Sequence, residues 1–365
     1  SASAALESRE ASEVGAQQVF KSIQSINSVN MTMDETDKLM SKVQNSSKQI
    51  SEIVDVLSDI TENTSMLALN ATVQAAKSGE AGKGFKIVAA YPYGSKTIES
   101  SYKRIPGYTE EAQKHGVEIV GSIAELLEKV DCVMLETNDG NLHLDQAVEV
   151  LKTGKPMFID KPVAATLTDA IAIFSLAKKY NSPMFSSSTL RFTPRNQELK
   201  RGEHGKVLGA DCFSPATNEP SHADFSWYGI HGVETLFTVM GGGCKQVTRV
   251  SAEGTDVVVG LWNDGRIGTF RGLRTGKADF GGTAFCESKT VAAGGYIGFK
   301  DLLTEILTFF KTKKVPVTEQ ETIEIFTFME ASNQSKRLGG KPVSMQETLE
   351  RCTKAAQKVL KAKKY

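Results

Sequence analysis

Apolar residues recur at seven-residue spacing along the first part of the chain. Val19, Ile26, Met33, Met40 and Val54 form one series, and Val29, Val43, Ile50 and Leu57 form a second, three positions later. Ile53, Ile60 and Leu67 continue the stripe. A three-four repeat kept this long predicts a coiled-coil helix over residues 1–84. Unbroken, such a helix would run about 115 Å at about 1.5 Å per residue. It would need a partner helix to bury its stripe. Residues 1–78 contain no proline and one glycine, Gly15.

Past Gly79 the period changes. Short β-rich runs, FKIVAA (85–90), VEIV (117–120), CVMLE (132–136), PMFID (156–160) and PMFS (183–186), alternate with helical patterns near 95–103, 122–129, 141–153 and 168–180. Alternation at this spacing predicts βαβ units and a parallel sheet over 85–187. Over 188–365 longer strands take over, in KVLGADCFS, TRVSAEG, DVVVGLW and RIGTFRGL, with a hairpin signal at Asn263-Asp264-Gly265. They predict an antiparallel sheet in an α+β domain, closed by helices near 298–313, 318–338 and 346–362.

The composition removes some functions. Forty-three basic residues balance forty-three acidic ones in 365, which leaves no electrostatic footprint for nucleic acid or an anionic membrane. No stretch reaches the roughly 18 consecutive apolar residues of a membrane helix. Five widely spaced cysteines without a CxxC point to reduced thiols and a cytoplasmic setting, with no metal site. The chain begins with Ser1 and carries no signal-peptide pattern, as a fragment of a longer protein would.

The run LALNATVQAAKSGEAGKGF (67–85), within 50–89, resembles the signalling tip of methyl-accepting chemotaxis receptors, with Gln74 where that family usually has Glu. The glycines Gly79, Gly82 and Gly84 permit the turn that folds a helix back on itself. The resemblance implies contact with a histidine kinase and a coupling protein through Asn70, Gln74 and Glu80; the alternative for these residues is a solvated coiled-coil face. A receptor needs a descending arm after Ala89, but AYPYGSK follows, with the chain's first proline, Pro92.

From about residue 86 onward the chain resembles the glucose-fructose oxidoreductase / inositol dehydrogenase family, NAD(P)-dependent enzymes of sugars and polyols. VDCVMLETNDGNLHLDQAVEVLKTGKPMFIDKPVAATLTDA (130–170), RFTP (191–194) and GIHGVETLFTVMG (229–241) carry the likeness. In hydride transfer from a carbinol the hydroxyl proton must leave. A lysine can hold that oxygen and a histidine can take the proton. The resemblance implies Lys161 and His231 as the catalytic pair. It implies Ser95, Lys96, Asn138, His143, Asp160, Lys161 and Pro162 on the cofactor side, and Arg191 and Tyr228 on the substrate side. A surface lysine at a strand end, and a satisfied histidine at a helix start, are the alternatives for Lys161 and His231. Where the family commonly has Asp, four residues before the histidine, this chain has Trp227. Asp224 and Tyr228 lie close by, and His222 falls in a loop.

The family's opening βα unit, with its Gly-x-Gly-x-x-Gly turn, is not in the sequence; GEAGKG (79–84) follows a helix and precedes a strand, the wrong order for that turn. The expected fold is therefore α/β: a long coiled-coil helix, an incomplete Rossmann-like parallel sheet, and a C-terminal α+β domain. Loss of a central strand would leave buried backbone groups unpaired at about 1–3 kcal/mol each, so binding of NAD or NADP is expected to be weak. Three functions stay open: a sugar or polyol oxidoreductase, homo-oligomeric through its open sheet face; a coiled-coil signalling scaffold; or a fusion of two unrelated segments.

Overall fold

The computed structural model describes residues 85–365 except 278, together with Met33 and Thr36. The predicted coiled coil and the residues Asn70, Gln74 and Glu80 lie outside the described residues. The chain divides into two compact units, Ser1–Ser65 and Met66–Tyr365. Every element named below belongs to the second.

The α/β portion runs β1 (Ala89–Ala90), α1 (Glu99–Tyr102), α2 (Ile105–Lys114), β2 (Glu118–Ile119), α3 (Ile123–Lys129), β3 (Val133–Leu135), α4 (His143–Leu151), β4 (Met157–Asp160), α5 (Leu167–Lys179) and β5 (Met184–Ser187). All five strand runs expected from the pattern are present. Ser122 and Thr166 cap α3 and α5 by accepting the backbone N–H of Glu125 and Asp169, the standard start of a helix after a strand.

The parallel strands form two separate pieces: β1 pairs with β2, and β3, β4 and β5 pair in that order. A doubly wound sheet has the strand order three-two-one-four-five-six. Withdrawing strand one from it leaves the pair three-two and the trio four-five-six, the pairing seen here. Among the described residues nothing pairs β1 to β3.

The trio is sandwiched. Met157 and Ile159 of β4 face the large core with α4 and α5. Phe158 points the other way, meeting Phe185 of β5 at 5.0 Å, and Phe185 meets Phe309 edge-on at 5.1 Å. This second core, with Leu302, Leu303 and Ile306, is contributed by α8 (Lys300–Thr312) from far along the chain. Successive side chains leave a strand on opposite faces, so one continuous apolar run serves both.

Between the sheets lie a 3-10 turn (Thr189–Phe192) and α6 (Pro194–Lys200). The larger sheet uses β6 (Val207–Pro215), β7 (Cys244–Ser251), β8 (Thr255–Trp262), β9 (Ile267–Leu273), β10 (Gly281–Cys286), β11 (Thr290–Ala293) and β12 (Val343–Ser344). Their order is β11-β10-β6-β9-β8-β7-β12. The expected antiparallel sheet is mixed: β6 and β9 run parallel, because the chain returns from β6 by way of α7 (Ile230–Met240), β7 and β8. The Asn263-Asp264-Gly265 step joins β8 to antiparallel β9, with Gly265 at φ 87°.

One face of this sheet is covered by α7, α9 (Glu319–Arg337) and α10 (Met345–Ala362). On β8, buried Asp256, Val258 and Trp262 alternate with half-buried Val257, Val259 and Leu261. Every residue of α7 is buried, the mark of a helix enclosed on all sides. It lies against the sheet closely enough that a Cβ on Gly232 would stand 2.5 Å from Phe270 Cε2. The apolar cluster is continuous from β3 to α10, so both sheets share one core.

Candidate functional site

The carboxyl ends of β3 and β4 and the start of α7 converge. β4 ends in Asp160, followed by Lys161 and a cis peptide to Pro162. Lys161 Nζ stands 5.2 Å from the centre of the Tyr228 ring, and that ring stands 5.9 Å from His231. The structure thus brings together Lys161, Tyr228 and His231, which are 67 and 70 positions apart in sequence from the lysine. Trp227 packs on Tyr228 at 6.4 Å and on His222 at 5.0 Å, while Phe280 meets His231 at 5.4 Å. Tyr228 therefore faces the lysine, flanked by Trp227 at the position where the resembling family commonly has Asp.

His231 is held from behind. Its Nδ1 lies 2.7 Å from Ser188 Oγ. Glu234, one turn further along α7, accepts the Ser188 backbone N–H at 2.8 Å and the Ser187 hydroxyl at 2.5 Å. Arg191 Nε donates to the same carboxylate at 2.7 Å, and Arg191 Nη1 to Glu321 at 3.2 Å. Arg191 is 1% exposed and is enclosed between these two carboxylates. Its Nη2 is buried without a partner among the described residues.

Electrostatics follow from burial. Burial, reinforced by Lys161, holds His231 well below the ordinary histidine range, so its ring is neutral. Burial, with Asp160 next to it, pushes Glu136 well above the carboxylate range, while Lys161 pulls it back. Asp160 is raised by burial, against the pull of Lys161. Leu135 is paired with Ile159, which sets the two carboxyls side by side at the ends of β3 and β4. Glu136 Oε1 and Asn138 Oδ1 are buried without partners among the described residues.

The other expected cofactor residues have local roles. His143 is fully buried, with Nδ1 3.3 Å from the Val163 carbonyl and Nε2 2.5 Å from that of Thr137. It ties the end of β3 to the loop after Pro162. Asn138 donates to Ser100 at 3.3 Å. Ser95 accepts the Ile98 N–H at 3.2 Å, next to exposed Lys96. His222 Nε2 accepts the Gly140 N–H at 3.1 Å. Gly140 admits no side chain: a Cβ there would lie 2.7 Å from Ala165 N.

Asp224 is engaged elsewhere. Its Oδ2 accepts from Arg249 at 2.9 Å and from Lys336 at 2.8 Å. Arg249, itself buried, also donates to Asp256 at 3.0 Å and to Asn333 at 2.9 Å. Its guanidinium stacks 4.1 Å over Phe225. Ser188, Glu234 and Arg249 were not singled out from the sequence, although Glu234 lies within GIHGVETLFTVMG, since a serine, glutamate or arginine shows its role only when packing gives it partners. The cysteines are free. Burial pushes Cys212 and Cys244 up to about 12, so neither is a thiolate at neutral pH.

Residues 12–153 match the methyl-accepting chemotaxis protein signalling domain. The match runs past Ala89 into the α/β portion. One relative, the Bacillus subtilis (strain 168) methyl-accepting chemotaxis protein McpB, is 34% identical over 86 residues, 24% of this chain and 13% of that protein. The chain thus spans a small part of the length of the receptors it matches.

The fold is similar to that of solved dehydrogenases. The myo-inositol 2-dehydrogenase of Lactobacillus plantarum superposes with a TM-score of 0.60 at 17% identity, covering 74% of this chain and 95% of that one. The scyllo-inositol dehydrogenase of Lactobacillus casei, solved with bound NAD(H) and scyllo-inositol, gives 0.58 at 12% identity, covering 75% and 95%. The chain joins a stretch similar to receptor signalling domains to a fold shared with inositol dehydrogenases.

The described residues fit one end of a nicotinamide dinucleotide and not the other. The unpartnered Glu136 oxygen, near Lys161, and the unpartnered Asn138 oxygen offer acceptors. At the diphosphate end the parallel sheet is divided, and the sequence holds no Gly-x-Gly-x-x-Gly turn to open a helix there.

Proposed function

We propose that the unit from Met66 to Tyr365 is a sugar- or polyol-binding site on a dehydrogenase fold, with Lys161 and His231 as its chemical pair and weakened affinity for NAD or NADP. The convergence of Lys161, Tyr228 and His231 carries this reading. An ammonium and an imidazole can both engage one oxygen of a polyhydroxy ligand, and the rings of Trp227 and Tyr228 suit the C–H face of a sugar ring. Asp160 beside Lys161 and Pro162 holds the lysine at the strand end; of the other expected cofactor residues, Ser95 and His143 are taken up by local hydrogen bonds, which leaves exposed Lys96 and the Asn138 Oδ1 to meet a nucleotide. Two copies would pair across the open sheet face bearing Val257, Val259, Leu261 and Ile267.

Calorimetric titration with a panel of inositols and aldoses tests this. Binding is expected, weakened at least about tenfold in Lys161→Met with the fold retained, the cost of one hydrogen bond to a charged group. No binding by any panel member, or equal binding by the variant, would sink it.

The match over residues 12–153 favours a second activity for the same chain: engagement of a chemotaxis kinase and its coupling protein through Asn70, Gln74 and Glu80. A pull-down with purified kinase and coupling protein, against a variant carrying alanine at all three positions, decides it. Retention that does not depend on those residues would count against this reading.

A further inference from the structure

We propose that Ser188 holds His231 as the neutral Nε2–H tautomer, so that His231 and Lys161 present two hydrogen-bond donors to one ligand oxygen and the site prefers a ketone to the corresponding alcohol. The preference for a ketone rests on reading the cleft as a sugar or polyol site; the tautomer does not.

The argument is one of satisfiable hydrogen bonds. Ser188 is completely buried. Its Oγ accepts the Leu190 N–H at 3.1 Å, which uses one lone pair. One lone pair and the hydroxyl hydrogen remain, and among the described residues His231 Nδ1, at 2.7 Å, is the partner within reach. If Nδ1 carried the proton and donated it to Oγ, the serine hydrogen would be buried without an acceptor, the costlier arrangement. If the serine donates to Nδ1, both groups are satisfied. The proton of a neutral ring then sits on Nε2, which has no hydrogen-bond partner among the described residues.

The surrounding charges leave this assignment in place. Lys161, at the end of β4 with Asp160 beside it, stands over the Tyr228 ring, and Tyr228 packs on the imidazole from just before α7. Phe280, preceded by exposed Asp279, meets it edge-on. Glu234 is taken by Ser187, Ser188 and Arg191 and does not bond the imidazole. Burial and Lys161 both keep the ring neutral.

A lysine ammonium only donates, and an Nε2–H only donates. A carbonyl oxygen accepts from both at no further cost, whereas a hydroxyl brings a hydrogen that neither group can accept. The sequence suggests His231 as proton acceptor; the packing assigns it to donation instead.

The test uses the full chain labelled with 15N-histidine. Two-bond nitrogen–proton correlations separate the tautomers, and His231→Gln identifies the His231 signals among the five histidines. Between about pH 6 and 8, wild type and Ser188→Thr are expected to show Nε2–H alone, and Ser188→Ala a mixture with Nδ1–H. Calorimetry is expected to give 2-keto-myo-inositol roughly fivefold tighter binding than myo-inositol, with the difference reduced in Ser188→Ala. An Nδ1–H or cationic ring in wild type overturns the proposal, as does an unchanged tautomer in a folded Ser188→Ala. If neither compound binds, the polyol reading falls, and the tautomer pattern still decides for or against Ser188.

Discussion

Glu136 illustrates how a single residue departs from its usual state. Burial and Asp160 hold its carboxyl above the ordinary range. The folded chain therefore keeps a proton that the unfolded chain has released, which disfavours the fold at neutral pH and does so less as pH falls toward about 4. Glu136→Gln is expected to raise Tm at about pH 7.5 and to change it little at about pH 4.5; an unchanged or lower Tm at the higher pH would contradict this. The buried histidines act with the opposite sign. Burial holds His143, His222 and His231 below the usual value. Their contribution is complete above about pH 6.5 and is lost as the unfolded chain gains protons below it. The place of Lys161 at the end of a strand was legible because PMFID and a proline flank it. Asp224 was not: only the folded chain shows it bound to Arg249 and Lys336, away from Lys161.

At the scale of elements, the loop before α7 and the helix itself set the site. Phe225, at φ 70°, turns the chain into α7. Arg249 fixes that turn by stacking on Phe225 and bonding Asp224 and Asp256. Arg249→Met is expected to cost about 1.5–3 kcal/mol, because Asp224, Asn333 and buried Asp256 each lose a charged donor while Asp256 keeps Arg274, measured as a lower urea midpoint at unchanged slope. A loss below about 1 kcal/mol would mean that the clamp is dispensable. Gly232→Ala pushes a methyl into Phe270 and is expected to cost about 1–3 kcal/mol. If it is tolerated without loss, the helix is not seated as tightly as the packing implies. A helix starting at His231 was one reading that the sequence offered, but the seating of α7 on β6 and β9 was not. Likewise β10 and β11 escaped the pattern, since glycine-rich GGTAFC does not alternate.

For the whole molecule, the divided parallel sheet is decisive. The β1–β2 piece has strands of two residues each, and α2 has no buried residue, whereas β4 and β5 are buried almost throughout. Amides over residues 88–120 should therefore exchange with deuterium well before those of 157–187; equal protection would show that the two pieces unfold together. Dinucleotide affinity should be weak, with no saturation of NADH or NADPH fluorescence at micromolar concentrations, and tight binding would refute the reading of the divided sheet. The sequence by itself determined most of the runs that are strands and helices, β10 and β11 excepted, since periods of two and of about 3.6 are local properties of neighbouring side chains. It also determined that the glycine turn is not present and that Asp160-Lys161-Pro162 closes a strand. Tertiary structure alone decided that the parallel strands part into two groups, that β6 and β9 run parallel, and that Ser188 and Glu234 support His231. Pairing and burial depend on residues scores of positions apart, and a hydroxyl or carboxylate acquires its role only from the partner that packing brings within hydrogen-bond reach.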